Sequence, residues 1–173
     1  MKIVFLDMDG VLNTYATFES PTTIGMVNPA LAVRLNKLLM FTNARLVISS
    51  TWRNVIHNGH YSLYGFAHML QTHGILSANV IGATGEHMDA RGDEIREWLR
   101  QQSPRPTNYV ILDDDSSGMD FFEDKFIKID SRQGLQDEHV DRAIAMLGSE
   151  PFEEYEGVEG RWVEDRDWQK NVS

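Results

Sequence analysis

The chain predicts an α/β fold of Rossmann type: a three-layer sandwich around a mainly parallel central sheet. Two observations lead there. Apolar runs of strand length alternate with longer stretches of helical periodicity, the pattern of a parallel sheet crossed by helices. Three of those runs end in polar clusters, Asp7/Asp9, Ser49/Ser50/Thr51 and Asp113/Asp114/Asp115. Strand ends that share one edge of an open α/β sheet are where such a fold places its ligands.

The elements follow in order. Ile3 to Leu6 is an uninterrupted apolar run, as a strand buried on both faces requires; Asp7-Met8-Asp9-Gly10-Val11-Leu12-Asn13 follows at its carboxyl end. Thr14 to Gly25 is polar and too long for an ordinary strand-to-helix loop, and is expected to be a flap over the site. Asn28-Pro29 reads as a helix cap with proline in the first turn, and Leu31, Leu35, Leu38 and Leu39 share one face of the helix that follows. Arg45 to Ile48 is the second strand. Leu63 to His73 is a helix closed by Gly74, and Ala78 to Ile81 a short third strand. Gly92 to Gln102 is helical with Ile95, Trp98 and Leu99 apolar, and Ser103-Pro104-Arg105-Pro106 breaks it. Tyr109 to Leu112 and Phe126 to Ile129 are strands four and five. Asp137 to Leu147 is a final amphipathic helix ended by Gly148.

With 173 residues and 42% apolar content, the chain is long enough for one domain with a substantial core. Residues 1–148 are assigned to that domain and 149–173 to an acidic tail or strap. The tail holds eight acidic and three basic residues, with Trp162 and Trp168 among them. No apolar run approaches the roughly 18 residues of a membrane span, and Met1-Lys2-Ile3 does not open a signal peptide. A cytoplasmic location is the expectation. The chain has no cysteine, so it has neither disulfides nor a thiolate metal site. His57, His60, His68 and His73 fit no common zinc spacing. The net charge of −10 argues against a broad nucleic-acid footprint.

If the three polar clusters converge, four or five carboxylates meet and repel one another unless a cation neutralises them. Oxygen-only ligands suit a hard ion, most simply Mg²⁺, which keeps several waters and binds carboxylate together with phosphate. A hydroxyl and a basic side chain would then hold the other phosphate oxygens. Ser50 competes with Ser49 and Thr51 for the hydroxyl role. Arg53 is a candidate substrate contact and Trp52 a base-stacking surface; the alternative is a buried Trp52 with a structural Arg53.

Asp7-Met8-Asp9-Gly10-Val11-Leu12, Ser50, Arg91 and Asp113-Asp114 stand in the order of the four motifs of the haloacid dehalogenase superfamily, and the chain resembles its phosphatase members. Asp7 to Asn13, Ser49 to Arg53, Arg91 with Ile95 and Trp98, and Asp113 to Asp115 are similar, more narrowly, to the domain of Swiss-army-knife RNA repair proteins. The resemblance implies Asp7 as nucleophile and Asp9 as general acid and base. It implies Mg²⁺ held by Asp7, the Asp9 carbonyl, Asp113 and Asp114, and phosphate held by Ser50, Thr51 and Arg91.

Superfamily members that act on small molecules often carry a cap domain; here few residues follow Asp9 before the expected flap and 40 separate Ser50 from Arg91, so no large cap domain is expected. An open site of that kind admits a phosphate on a nucleic-acid end or a nucleotide. A general small-molecule phosphatase and a non-catalytic phosphate-binding module of a repair complex are the competing readings. The Asp7/Asp9 pair counts against the module, which has no use for a general acid.

Overall fold

The computed structural model describes residues 1–14, 27–76, 78–85 and 89–149. Its sheet has five strands, β1 (Lys2–Leu6), β2 (Arg45–Ile48), β3 (Val80–Ala83), β4 (Asn108–Asp113) and β5 (Phe126–Lys128). All are parallel, in the order β3-β2-β1-β4-β5. The chain starts at the centre, builds outward to β3, and then crosses to β4 on the other side. The order therefore reverses between β1 and β4, the switch point where an open α/β sheet leaves a crevice.

The helices are α1 (Pro29–Thr42), α2 (Asn54–His57), α3 (Leu63–Thr72), α4 (Arg91–Gln101) and α5 (Asp137–Leu147). Strand residues alternate between two cores. Val4, Leu6, Leu46, Ile48, Val110 and Leu112 pack with Leu31 and Leu35 of α1, Phe66 of α3 and Val140 of α5. Ile3, Phe5, Val47 and Ile111 pack with Ile95 and Trp98 of α4 on the opposite face. There the Phe5 ring meets Trp98 edge to face at 5.3 Å. Because successive side chains point to opposite faces, a strand apolar at every position needs a layer on each side, and the expected three-layer sandwich results.

Local chemistry sets the element ends. The Asn28 side chain accepts from the Ala30 amide, with Pro29 beside it in the first turn of α1. Ser62 caps α3 by accepting from the Gly65 amide, and Gly74, at φ 92°, follows its end. Gln136 and His139 form a reciprocal capping box on α5. β3 lies two residues beyond the expected Ala78–Ile81. The Ala78 amide is used in a turn to the Ile75 carbonyl, and pairing with Leu46 begins only afterwards. Gly82 within β3 lets Trp98 approach, since a Cβ there would stand 3.1 Å from the indole nitrogen.

Between β2 and β3 the described insertions are only α2, α3 and a turn of 3-10 helix at Thr51–Arg53. A second such turn, Met119–Phe122, precedes β5. The expected flap falls largely on residues 15–26, outside the described residues, as does the tail from residue 150 onward. Among the described residues no helix is long and apolar enough to cross a membrane.

Candidate active site

Strand register brings the three polar clusters together. Leu6 pairs with Leu112 on one side and Ile48 on the other. The ladder runs one step further, with the Asp7 amide donating to Leu112 and the Ser49 amide to Leu6, each at 3.0 Å. Asp7 and Asp113 thus emerge side by side at the switch point, next to the start of the Ser49–Arg53 segment.

Asp113 is fully buried and Asp7 nearly so. A single nitrogen of Arg91, Nη1, donates to both, at 2.9 Å to Asp7 Oδ1 and 2.8 Å to Asp113 Oδ2. The other Asp113 oxygen accepts from the Asp115 amide at 2.8 Å. One carboxylate oxygen each from Asp7, Asp113 and Asp114 lie within 4.8 Å of one another, the spacing of a metal-binding group. Gly10 makes this packing possible. Its φ is 83°, and a Cβ there would come within 2.5 Å of Asp114 Oδ2.

Burial pushes Asp7 up to about 6, against the pull of Arg91. Burial, reinforced by the Asp7 charge, takes Asp113 to about 7. Burial also raises Asp114. Arg91 loses solvation, which favours its neutral form, yet Asp113 and Asp7 outweigh that loss and hold it above its ordinary value. Three acids raised together, with one arginine among them, form a site short of positive charge.

Asp9 stands apart from this cluster. Trp52 Nε1 donates to both of its oxygens, at 3.1 and 3.0 Å, and Asn13 Nδ2 donates to Oδ1 at 2.8 Å. The tight loop from Met8 to Asn13 holds the group, with the Gly10 amide donating to the Asn13 carbonyl at 2.9 Å. The Asp9 carboxylate is thus held by Trp52 and Asn13, half-buried, two residues from the deeply buried Asp7.

The segment after β2 departs from expectation. Ser50 is buried, and its Oγ accepts from the Trp52 amide at 3.3 Å, capping the 3-10 turn. Thr51 is exposed. Trp52 is buried rather than offered for stacking, because its indole N–H is used on Asp9. Arg53 is likewise not turned out toward substrate. Its Nη2 donates to Glu94 Oε1 at 2.7 Å and its Nη1 to the Ser49 carbonyl at 2.9 Å, so the structural alternative applies.

Three contributors escaped the sequence reading: Asn13 and Trp52 as donors to Asp9, and Glu94 as the partner of Arg53. Glu94 lies one helical turn after Arg91, and that spacing on α4 was its one available signal.

The fold and site define a class: a doubly wound α/β protein with a carboxylate cluster at the switch point of its sheet. The family model described as the HAD domain in Swiss Army Knife RNA repair proteins matches residues 3–140. That is most of the chain, and the chain belongs to this family. No curated protein and no solved structure gives a match. HAD membership suggests a phosphatase-type function, and HAD domains generally use Mg²⁺, for which the acidic cluster offers a possible site.

Proposed function

We propose that the protein is a Mg²⁺-dependent phosphomonoester hydrolase working through an aspartyl-phosphate on Asp7. The observation that carries the reading is the Asp7/Asp113/Asp114 cluster with Arg91 Nη1 shared between two of its members. Three carboxylates against one guanidinium leave excess negative charge, and an all-oxygen donor set fits a hard divalent cation. Asp7, Asp113 and Asp114 would hold Mg²⁺ together with the Asp9 carbonyl. Bound there, it would screen Asp7 from the anionic phosphate.

In the first step an Asp7 carboxylate oxygen attacks phosphorus, and the bond from phosphorus to the alcohol oxygen breaks. Asp9 supplies the proton that this oxygen needs to leave as an alcohol. In the second step Asp9 takes a proton from water, the water oxygen attacks phosphorus, and the bond to Asp7 breaks. Phosphate is released and both carboxyl groups return to their starting states. Ser50 donates its hydroxyl proton to a phosphoryl oxygen, with Thr51 beside it at the open end of the turn. Arg91 offsets the charge that gathers on the transferring group.

The substrate class we favour is a phosphorylated nucleic-acid end or a nucleotide. The family description supports this, as do the short described insertions after β2. Removing a terminal phosphate takes few backbone contacts, so a net charge of −10 is compatible with it.

The test measures phosphate release with and without Mg²⁺ from an aryl phosphate, small sugar phosphates, nucleotides, and 3′- and 5′-phosphorylated oligonucleotides. Wild type is expected to hydrolyse members of the panel only with the metal. Wild type no faster than Asp7→Asn on every substrate would sink the enzymatic reading. Preference for small sugar phosphates over all nucleotides and oligonucleotides would move the substrate class to small molecules.

A further inference from the structure

Behind the acidic cluster lies a second charged group that the reaction does not touch. Arg53 Nη2 and Glu94 Oε1 form an ion pair at 2.7 Å, with both side chains at most one-tenth exposed. Arg53 Nη1 also donates to the carbonyl of Ser49, at the end of β2. The other oxygen of Glu94, Oε2, stands 3.9 Å from Nε of Arg91, at ion-pair distance. Arg91 in turn spans Asp7 and Asp113 through Nη1. One continuous path therefore runs from the end of β2, through Arg53 and Glu94, across the first turn of α4, to the ends of β1 and β4.

We propose that Glu94 and Arg53 are positioning residues: together they clamp the Arg91 guanidinium so that one of its nitrogens stays between Asp7 and Asp113. This rests on the phosphatase reading for its consequence in catalysis, though not for the clamp itself. An arginine side chain has several rotatable bonds, and Nη1 is useful between two carboxylates only while the plane of the guanidinium is held. The Glu94 carboxylate faces Nε, the opposite edge of that plane, across 3.9 Å, an attraction of charges and not a hydrogen bond. Glu94 is itself fixed by Arg53, and Arg53 by the Ser49 carbonyl, so the clamp is anchored to backbone.

Stability alone accounts poorly for the pair. Taking two charges out of water costs about as much as their attraction returns, and an apolar pair of similar volume often does as well. An apolar pair would not hold Nε of Arg91. That difference separates the positioning role from a structural one.

The experiment compares wild type, Glu94→Gln and the double variant Glu94→Leu/Arg53→Met. Three quantities are measured on each: the thermal midpoint, the order of the Arg91 Nε–H group by ¹⁵N NMR relaxation, and kcat and KM on an aryl phosphate with Mg²⁺. The Arg91 signal is assigned by its loss in Arg91→Lys. The double variant is expected to stay folded, with Arg91 Nε–H newly mobile and kcat lowered about 10- to 100-fold, the scale of a misplaced catalytic group. KM is expected to change less than about threefold, since substrate contacts remain. Should the apolar pair fail to fold, near-isosteric Glu94→Gln carries the same expectations with a smaller loss. An ordered Arg91 signal and wild-type kcat in a folded variant would overturn the proposal. Absence of hydrolysis by wild type would instead overturn the phosphatase reading, and the NMR signal would still decide whether Glu94 holds Arg91.

Discussion

The ends of β1 and β2 lie side by side in the sheet and use their polar residues in opposite ways. At the end of β1, Asp7 points into the cluster with Asp113 and Asp114, its charge opposed by burial and favoured by Arg91. At the end of β2, the side chains mainly hold other groups in place. Ser50 caps a turn, Trp52 holds Asp9, and Arg53 holds Glu94. Adjacency at a ligand-binding edge therefore does not make every polar side chain a ligand contact. One strand end presents chemistry, and its neighbour supplies the frame.

The largest expected effects lie at the β1 end. Asp7→Asn keeps the shape and removes the nucleophile, so Mg²⁺-dependent phosphate release is expected to fall by about 10³-fold or more. Residual activity within tenfold of wild type would show that Asp7 is not the attacking group. Asp9→Asn is expected to discriminate by leaving group. Alkyl phosphates, whose leaving oxygen needs a proton, should slow by about 10²- to 10⁴-fold, whereas activated aryl phosphates should slow much less. Steady-state rates on a graded series of leaving groups measure this, and equal losses across the series would contradict an acid role.

How much of this difference was legible depended on the kind of interaction. The strands were readable along the chain because a strand buried on both faces is apolar at each position, as Ile3–Leu6 and Tyr109–Leu112 are; their order across the sheet was not. Asp7, Asp9, Ser50, Arg91 and Asp113 were readable as candidates because they follow such runs or stand at motif spacing. The frame was not. Nothing local says that Trp52 turns its indole N–H 43 residues back along the chain to Asp9. Nor does the pairing of Arg53 with Glu94, 41 residues away, follow from periodicity. These contacts arise from the parallel register, which brings distant segments together only after the sheet is assembled. The β3 shift has a smaller cause: a turn at Ala78 takes the amide that strand pairing would have used.

An intermediate effect is expected where the two ends meet. Trp52→Phe preserves most of the buried ring volume and removes the N–H that bridges both Asp9 oxygens. A hydrogen bond to a charged group contributes about 1.5–3 kcal/mol, so up to about 100-fold in kcat is at stake if Asp9 drifts. The loss is expected on alkyl phosphates and to be small on activated aryl phosphates, repeating the Asp9→Asn pattern in weaker form. A uniform loss on both substrate types would make Trp52 a general packing residue and detach the β2 frame from the acid.

The smallest expected effect is thermodynamic and needs no substrate. Asp7 and Asp113 rise from 3.8 to about 6 and about 7. A carboxyl group raised on folding binds its proton more tightly in the native state. Its contribution to stability is therefore greatest below the unfolded value and declines as pH climbs through the folded one. For this pair the decline runs from about pH 4 to about pH 7. Magnesium favours the ionised carboxylates, so its stabilising increment should grow over the same window and level off above pH 7. Saturation at 100 times Kd contributes about 2.7 kcal/mol, or roughly 5–10 °C for a domain of this size. Thermal melts at pH 5, 6.5 and 8, each with EDTA or Mg²⁺, isolate the increment from the titration of groups that do not bind the ion. An increment independent of pH would place the ion away from Asp7 and Asp113. One that survives in the double variant Asp7→Asn/Asp113→Asn would do the same, leaving the shared Arg91 contact as the principal means by which this site balances its buried charge.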